Sequence, residues 1–255
     1  MKKRLDVILV ERGLAESRAQ AQALVLAGLV RGYDKPGQQV AEDTALEVDD
    51  PPPYVSRGGE KLAHGLEELG VDPVGLDCVD VGASTGGFTD VLLQRGASRV
   101  IALDVGYGQL HPRLRADRRV TVLERTNART LTGLPFPPTL AVCDVSFISV
   151  RLALPPVLRL CAPEWQAVVL VKPQFEAGRP DVGKGGVVRD LEVRRRVVLE
   201  VAEAALSWGG TVRGVVDSGL PGPKGNREIF LHLEHSEHPQ LPDDLDERIE
   251  HALSG

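Results

Sequence analysis

The chain has 255 residues, enough for one doubly wound α/β domain with a small accessory module and too few for two large domains. Hydrophobic residues make up 42% and charged residues 26%, which predicts a packed core and excludes global disorder. Aromatic residues make up only 4%, which excludes a broad base-stacking surface, and no apolar run reaches the ~20 residues that cross a bilayer.

The net charge of −6 is carried entirely by the C-terminal end. Residues 1–233 hold 29 basic and 29 acidic side chains, whereas residues 234–255 hold one basic and seven acidic side chains. We therefore interpret residues 235–255 as an acidic C-terminal tail. The first 35 residues hold seven basic and four acidic side chains, and such a basic head is compatible with RNA binding.

Nothing in the sequence indicates secretion, membrane insertion or a metal centre. The N-terminus lacks the apolar segment and the small-residue cleavage site of a signal peptide. The three cysteines are widely spaced and odd in number, which argues against a disulfide framework and against a zinc cluster. The six histidines show no ligand spacing. We expect a cytoplasmic protein that binds no metal and no membrane.

Residues 1–50 predict a small α+β domain. Leu5, Ile8 and Leu9 recur at helical spacing, and Ser17 with Gln20 forms a capping box that opens a second helix. That helix ends before Gly28, and short strands are predicted at 29–30 and 46–48. Three consecutive prolines then make residues 51–56 a stiff linker in which neither a helix nor an inner strand continues.

From residue 57 onwards, short apolar strands alternate with helices. This pattern predicts a Rossmann-like α/β domain over residues 57–234, with a parallel sheet covered by helices on both faces. The predicted strands are residues 78–81, 100–104, 121–123, 140–144, 167–171, 211–217 and 229–233.

A glycine-rich turn follows the first strand of this sheet. Residues 80–87, Asp-Val-Gly-Ala-Ser-Thr-Gly-Gly, join the strand to a helix, so that backbone N–H groups can approach a ligand closely. Asp104 ends the next strand, where a carboxylate can bind both ribose hydroxyls of NAD or of S-adenosylmethionine. The glycine spacing differs from the dinucleotide pattern and favours S-adenosylmethionine, which has no pyrophosphate. An NAD-dependent enzyme and a purely structural turn are the alternatives.

Four polar side chains stand where the pattern otherwise calls for apolar residues: Lys61, Asp144, Lys172 and Glu228. Asp144 and Lys172 each end a predicted strand. Because the carboxyl ends of parallel strands line the ligand crevice of an open sheet, both should face the same space as the glycine-rich turn. Each residue alone could belong to a solvated ion pair, but the ordered set predicts a catalytic group.

Several of these blocks resemble known families. The two short helices followed by Gly28-Leu29-Val30 look like the S-four-type RNA-binding module, although the usual Val-Asn-Gly turn is missing. The order Lys–Asp–Lys–Glu resembles that of the FtsJ-type ribose 2′-O-methyltransferases. The blocks at 55–62, 80–89, 104–110, 124–129, 144–149 and 171–176 together look like the TlyA family, sometimes labelled hemolysin A.

The resemblance implies an S-adenosylmethionine-dependent enzyme that methylates the ribose 2′-hydroxyl of cytidine in 16S ribosomal RNA, 23S ribosomal RNA or both, with ribosomal RNA or ribosomal subunits as partners. Lys172 would be the base, Lys61 the cation beside it, Asp144 the holder of the lysine amine and Glu228 the partner of Lys61 or of the ribose. The residues expected at the cofactor are Asp80, Gly82, Ser84, Gly86, Gly87, Phe88, Asp104, Asn127 and Asp144. The residues expected on RNA phosphates are Arg4, Arg18 and Arg31.

Two further functions are open at this point. An RNA-binding assembly factor with an inactive methyltransferase fold would also carry these blocks, and a membrane-damaging hemolysin is suggested by the older label. Transfer of a methyl group to ribosomal RNA separates the first alternative from the enzyme, and leakage of liposomes would identify the second.

Overall fold

The computed structural model describes residues 2–254, with the backbone alone at residue 223, and divides into two compact units, Met1–Pro53 and Tyr54–Gly255. The elements of the first unit are β1 (Lys2–Arg4), α1 (Leu5–Glu11), α2 (Arg18–Leu26) and β2 (Gln39–Ala41). Strands β1 and β2 are antiparallel, and both helices pack on a small apolar core.

The capping box of the first unit is confirmed in its main feature. The Ser17 hydroxyl accepts a hydrogen bond from the Gln20 N–H at 3.2 Å, and the Gln20 side chain accepts one from the Glu16 N–H at 2.6 Å. The strands predicted at 29–30 and 46–48 are reduced to a single bridge between Val30 and Val48. The predicted strand pair was wrong, because Lys2–Arg4 pairs with Gln39–Ala41 instead. The segment Lys2–Arg4 is entirely polar, so it forms a strand through this pairing and shows no apolar alternation that would have predicted it.

The second unit contains a seven-stranded sheet with helices on both faces. Its strands are β3 (Asp77–Val81), β4 (Arg99–Leu103), β5 (Val120–Leu123), β6 (Leu140–Cys143), β7 (Gln166–Val171), β8 (Gly210–Asp217) and β9 (Ile229–His235). Its helices are α3 (Arg57–Glu68), α4 (Gly87–Gln94), α5 (Pro112–Arg115), α6 (Val150–Leu158), α7 (Pro173–Glu176), α8 (Leu191–Leu206) and α9 (Leu245–Ser254).

The strand order is β5-β4-β3-β6-β7-β9-β8. The first five strands in this order are parallel, as predicted, but β9 runs antiparallel to both β7 and β8. Alternate residues of each parallel strand face opposite layers: Val79 and Ile101 pack towards α6, α8 and α9, whereas Cys78 and Val100 pack towards α3 and α4. Burial on both faces explains why these strands are continuous apolar runs.

The acidic tail predicted for residues 235–255 is instead part of the fold. Helix α9 buries Leu245, Ile249 and Leu253 in the same apolar cluster as the sheet. Its acidic residues lie on the outer side, where Asp246 pairs with Arg195 of α8 at 2.8 Å. The prediction was wrong because it counted charges and missed apolar residues at helical spacing between them.

No helix among residues 2–254 is both long enough and apolar enough to cross a membrane.

Candidate active site

The sheet reverses its strand order at β3, which has β4 on one side and β6 on the other. The loops that follow β3, β4, β5 and β6 enclose a cavity of about 560 Å³ at this reversal. Ligands of open α/β sheets bind at such points, and the volume lies in the range of small-molecule sites. The polar residues along the cavity wall are Ser84, Asp104, Gln109, Thr126, Asn127, Arg129, Asp144 and Ser146.

The glycine-rich turn approaches its neighbours too closely for side chains. Gly82 has φ of +90°, and a Cβ atom on it would lie 2.6 Å from the carbonyl oxygen of Asp144. Gly86 caps α4 with φ of +95°, and a Cβ on Gly87 would lie 2.8 Å from the backbone nitrogen of Gly59 in α3. These glycines therefore bring the loops after β3 and β6 and the first turn of α3 against one another.

Asp104 is held at the cavity by two backbone N–H groups. Ser84 donates to its Oδ2 at 2.7 Å and Gly106 donates to its Oδ1 at 2.6 Å. Each carboxylate oxygen keeps a lone pair for a further donor. A carboxylate oriented in this way fits the vicinal hydroxyls of a ribose. Asn127 lies on the same wall, with its Oδ1 accepting a hydrogen bond from the Arg129 N–H at 3.0 Å.

Not every residue expected at the cofactor lines this cavity. Asp80 is fully buried, and its Oδ2 accepts hydrogen bonds from the N–H and the hydroxyl of Thr89, at 2.9 and 2.7 Å. Burial raises the pKa of Asp80 to about 7. The geometry thus corrects its expected role: Asp80 anchors the start of α4 and does not line the cavity. Gly86 is also away from the wall, because it packs against Leu110 and Leu114.

Gly87 and Phe88 line a smaller adjoining pocket of about 130 Å³, together with Gly82, Ser84 and Asp144. Phe88 is 3% exposed, and most of its ring packs in the core against Phe230, with ring centroids 6.1 Å apart. The smaller pocket extends the cavity towards the first turn of α3.

Lys172 and Asp144 form an ion pair at the carboxyl ends of β7 and β6. The Lys172 ammonium also donates a hydrogen bond to the Ser146 hydroxyl at 3.1 Å. Lys172 is only 8% exposed, whereas a quarter of the Asp144 side chain remains accessible on the cavity wall. The lysine amine is thus held beside the space where a ligand of the cavity would end.

Lys61 and Glu228 form a second buried ion pair. Lys61 Nζ donates to Glu228 Oε2 at 2.5 Å, and the Gln174 amide donates to Glu228 Oε1 at 3.1 Å. Glu228 is 1% exposed, and Gly222 lies so close that a Cβ there would overlap the carboxylate. Since Gln174 lies two residues after Lys172, the two ion pairs are connected through the same short segment.

The antiparallel direction of β9 brings Glu228 to the carboxyl ends of β6 and β7. Val171 pairs with Ile229, so Lys172 and Glu228 stand at adjacent ends of neighbouring strands. In the all-parallel sheet that the sequence predicts, a residue before the last strand would lie at the amino ends of the strands, away from Asp144 and Lys172. The four predicted polar residues therefore converge because the strand direction differs from the prediction.

Sequence reasoning assigned no role to Ser146, Gln174 or Phe147. Ser146 and Gln174 each lie two residues after a predicted site residue, and this proximity was the available signal. Phe147 lies on the cavity wall with φ of +64°; it is 92% exposed, and its ring contacts Phe175 with centroids 5.1 Å apart. Neither the exposure of this ring nor its left-handed backbone could be predicted from a sequence in which only 4% of the residues are aromatic.

The arginines expected on RNA all have acidic partners within the first unit. Arg4 and Arg18 contact the buried Asp6 at 2.8 and 3.2 Å, and Arg31 contacts Glu47 at 2.7 Å. The Arg4 hydrogen bond is the main reason why the pKa of Asp6 lies well below its usual range. The three arginine side chains remain between 44% and 65% exposed. Their contact with RNA stays a prediction.

Comparison with known proteins gives two family matches. Residues 54–235 match the FtsJ-like methyltransferase family, and residues 3–31 match the S4 domain. The 16S/23S rRNA (cytidine-2′-O)-methyltransferase TlyA of Mycobacterium tuberculosis is 51% identical over 238 residues, which cover 90% of this chain and 89% of that protein. YqxC of Bacillus subtilis, described as a candidate rRNA methyltransferase, is 46% identical over 255 residues, covering 95% of this chain and 91% of YqxC.

Solved structures show the same likeness. A candidate hemolysin from Streptococcus thermophilus superposes with a TM-score of 0.77 at 40% identity, covering 99% of this chain and 96% of that one. An S-adenosylmethionine-dependent methyltransferase from Mesorhizobium loti has a TM-score of 0.51 at 17% identity, covering 69% of this chain and 98% of that one, and shares the fold alone.

Proposed function

The chain belongs to the TlyA family of FtsJ-like methyltransferases, and on that premise we propose that it methylates the ribose 2′-hydroxyl of a cytidine in ribosomal RNA. The observation that carries this proposal is the pair of buried lysine–carboxylate contacts, Lys172 with Asp144 and Lys61 with Glu228, next to the cavity at β3. Burying a charge costs folding free energy, so two linked ion pairs at the same ends of neighbouring strands indicate a role in chemistry rather than in stability.

The cavity fits S-adenosylmethionine. Asp104 offers two oriented carboxylate oxygens for the ribose hydroxyls, and Gly82 allows the loops after β3 and β6 to approach each other closely at the cavity wall. Asn127, on the same cavity wall, would contact the adenine. When bound, this cofactor supplies a methyl group activated by a sulfonium. The turn at residues 82–87 lacks the Gly-x-Gly-x-x-Gly spacing that usually binds the pyrophosphate of NAD.

The protein's own residues then position and deprotonate the hydroxyl. Lys172 would act as the base as a neutral amine: its Nζ would accept the 2′-hydroxyl proton, and the hydroxyl oxygen would take the methyl group that the cofactor supplies. Asp144 and Ser146 fix the lysine amine at the cavity. Lys61, held by Glu228, supplies a positive charge for the developing alkoxide. Proximity and proton transfer are the two contributions expected, because the hydroxyl is a weak nucleophile and the methyl donor is already activated.

The first unit supports ribosomal RNA as the partner. It matches the S4 domain, and the side chains of Arg4, Arg18 and Arg31 are exposed there. We accordingly propose that the enzyme acts in the cytoplasm, on ribosomal RNA or on assembling subunits.

The test is transfer of a labelled methyl group from S-adenosylmethionine to purified, unmethylated small and large ribosomal subunits. Label recovered as 2′-O-methylcytidine, and lost in the Lys172→Ala variant, would support the proposal and identify the subunit. If neither RNA becomes labelled although the cofactor binds, the proposed substrate is wrong. If Lys172→Ala retains full transfer, the proposed base is wrong.

A further inference from the structure

A short hairpin, residues 183–187, projects a lysine from the second unit. Gly183 N–H donates to the Val187 carbonyl at 3.1 Å, and Gly186 N–H donates to the Gly183 carbonyl at 3.0 Å. Gly185 and Gly186 have φ of +91° and +80°, which other residues adopt only with strain. The exposed side chain at the tip of this hairpin is Lys184.

A buried amide fixes the hairpin to a second turn, residues 222–226. Asn226 is 3% exposed; its Oδ1 accepts from the Val188 N–H at 3.1 Å and its Nδ2 donates to the Gly186 carbonyl at 2.9 Å. The turn is closed by a hydrogen bond from Gly222 N–H to the Asn226 carbonyl at 2.8 Å. Hairpin and turn are therefore one body, and the turn exposes Lys224 in a left-handed conformation with φ of +60°.

In the part of the chain that the structure describes, neighbouring acids do not neutralise the cationic groups on this body. Arg194 of α8 donates from Nε to the Val188 carbonyl at 2.7 Å, and burial together with the charge of Arg227 lowers its pKa. Among residues 2–254, no carboxylate forms an ion pair with Lys184, Lys224 or Arg194. The next residues of α8 differ, because Arg195 and Arg196 both have acidic partners.

This cationic surface borders the Lys61–Glu228 pair. Glu228 follows Asn226 by two residues, and its carboxylate packs against Gly222 of the same turn. None of the residues that line the 560 Å³ cavity belongs to the hairpin or to the turn. A ligand of this surface would therefore approach from the lysine side of the site, which is the side of the methyl acceptor and not of the cofactor.

We propose that the hairpin and the turn form a phosphate-binding surface that holds the RNA backbone beside the nucleotide to be methylated, with Lys184, Lys224 and Arg194 as its cations. The inference rests on the proposed function and deepens it. RNA presents closely spaced negative charges that such a cluster neutralises, and backbone contacts of this kind fix position without reading sequence. The hydrogen-bonded turn holds Lys224 in its left-handed conformation, and this conformation sets the direction of the lysine side chain.

The test compares a Lys184→Ala/Lys224→Ala double variant with the wild-type protein in binding to unmethylated, in vitro transcribed 16S and 23S rRNA. Affinity is measured over a salt series of about 50 to 300 mM, because each lost phosphate contact lowers the slope of log affinity against log salt by roughly 0.7–0.9. We expect the slope to fall by about 1.5 and affinity near physiological salt to fall roughly tenfold. Equal melting temperatures verify that the variant is folded.

The matched control is Arg118→Ala/Arg159→Ala. It removes the same charge from exposed positions before β5 and after α6, near the amino ends of the parallel strands. An unchanged slope in the Lys184/Lys224 variant, or an equal loss in both variants, would overturn the proposal. An unchanged RNA slope with weaker binding to intact subunits would also overturn it, since the surface would then contact a ribosomal protein.

Binding is measured without methyl transfer, so the two proposals fail separately. If the wild-type protein binds RNA but transfers no methyl group, while the double variant shows the reduced slope, the proposed function is overturned and the RNA-binding surface is retained. A wild-type protein that methylates RNA, with a double variant that keeps the full slope, would overturn the surface alone.

Discussion

Lys61 and Glu228 are 167 positions apart in the chain, yet the lysine amine donates a 2.5 Å hydrogen bond to the glutamate carboxylate in a buried site. Lys61 lies in α3 and Glu228 immediately precedes β9, so the contact joins the first helix of the second unit to its last strand. The pair lies at the same ends of the strands as Lys172 and Asp144.

Removing one member of this pair should destabilise the fold. In Lys61→Met the Glu228 carboxylate is left buried with, among residues 2–254, the Gln174 amide as its hydrogen-bond partner, and loss of one partner of a buried pair costs ~3–5 kcal/mol. The double variant Lys61→Met/Glu228→Gln should recover part of this loss because no charge stays buried. Urea unfolding of both variants measures the difference; equal stability of the single and double variants would contradict the interpretation.

Lys172→Ala should lower methyl transfer by roughly 10²–10⁴-fold, the usual contribution of a general base, while cofactor affinity stays the same. Ser146→Ala should have a smaller effect, since it removes one hydrogen bond to the lysine and leaves the ion pair with Asp144. Single-turnover rates and calorimetric binding of S-adenosylmethionine separate the two effects. A parallel loss of cofactor binding in Lys172→Ala would place this lysine at the cofactor instead.

Gly82→Ala should abolish cofactor binding, because the new methyl group would overlap the Asp144 carbonyl oxygen. Gly108→Ala is the matched control: it has φ of +71° but no atom within 4 Å of the added Cβ. Both variants carry the left-handed strain of about 1–2 kcal/mol, and only Gly82→Ala carries the overlap as well. Melting temperature and cofactor affinity should therefore fall more in Gly82→Ala, and similar losses in both would exclude the overlap as the cause.

Asp104→Asn should weaken S-adenosylmethionine binding roughly 10–100-fold, by about the free energy of one lost charge-assisted hydrogen bond. Its amide NH₂ would also face a backbone N–H of Ser84 or Gly106, both of which donate to the native carboxylate. Asp72→Asn, an exposed aspartate outside the site, is the control. Isothermal titration calorimetry gives the affinities; an unaffected Asp104→Asn would remove this residue from the cofactor site.

Asp80 should make the fold less stable as the pH rises from about 4 to 7. Burial raises the pKa of this carboxyl to about 7, so the folded protein holds its proton where the unfolded chain has released it. The contribution to stability is present below the unfolded pKa and is lost as pH rises through 7. Asp80→Asn keeps an acceptor for Thr89 and has no proton to lose, so its unfolding free energy should vary less across this range in urea titrations. A wild-type pH dependence unchanged by the substitution would contradict this assignment.

The parallel part of the sheet could be predicted because its strands are buried on both faces and read as apolar runs. The approximate position of Asp104, Asp144 and Lys172 followed from their place at strand ends. Which lysine pairs with which carboxylate did not follow, because pairing depends on the direction of β9, and an antiparallel hairpin has the same apolar pattern as two parallel strands.

Local sequence also hid the role of Asp80 and the helix α9. An aspartate next to a glycine-rich turn has the same sequence context whether it faces a ligand or the core, and only the contact with Thr89 distinguishes the two. In α9 the acidic residues dominate the composition, while four apolar positions decide the packing: Leu245, Ile249, Ala252 and Leu253.

The antiparallel pairing of β7 with β9 also sets how length changes in this part of the chain are tolerated. Side chains alternate between the two faces of a strand, so deleting a single residue within β9 would turn Glu228 to the face away from Lys61 even though the glutamate itself is kept. The length of β9 is therefore as important for the contact between Lys61 and Glu228 as the identity of the glutamate itself.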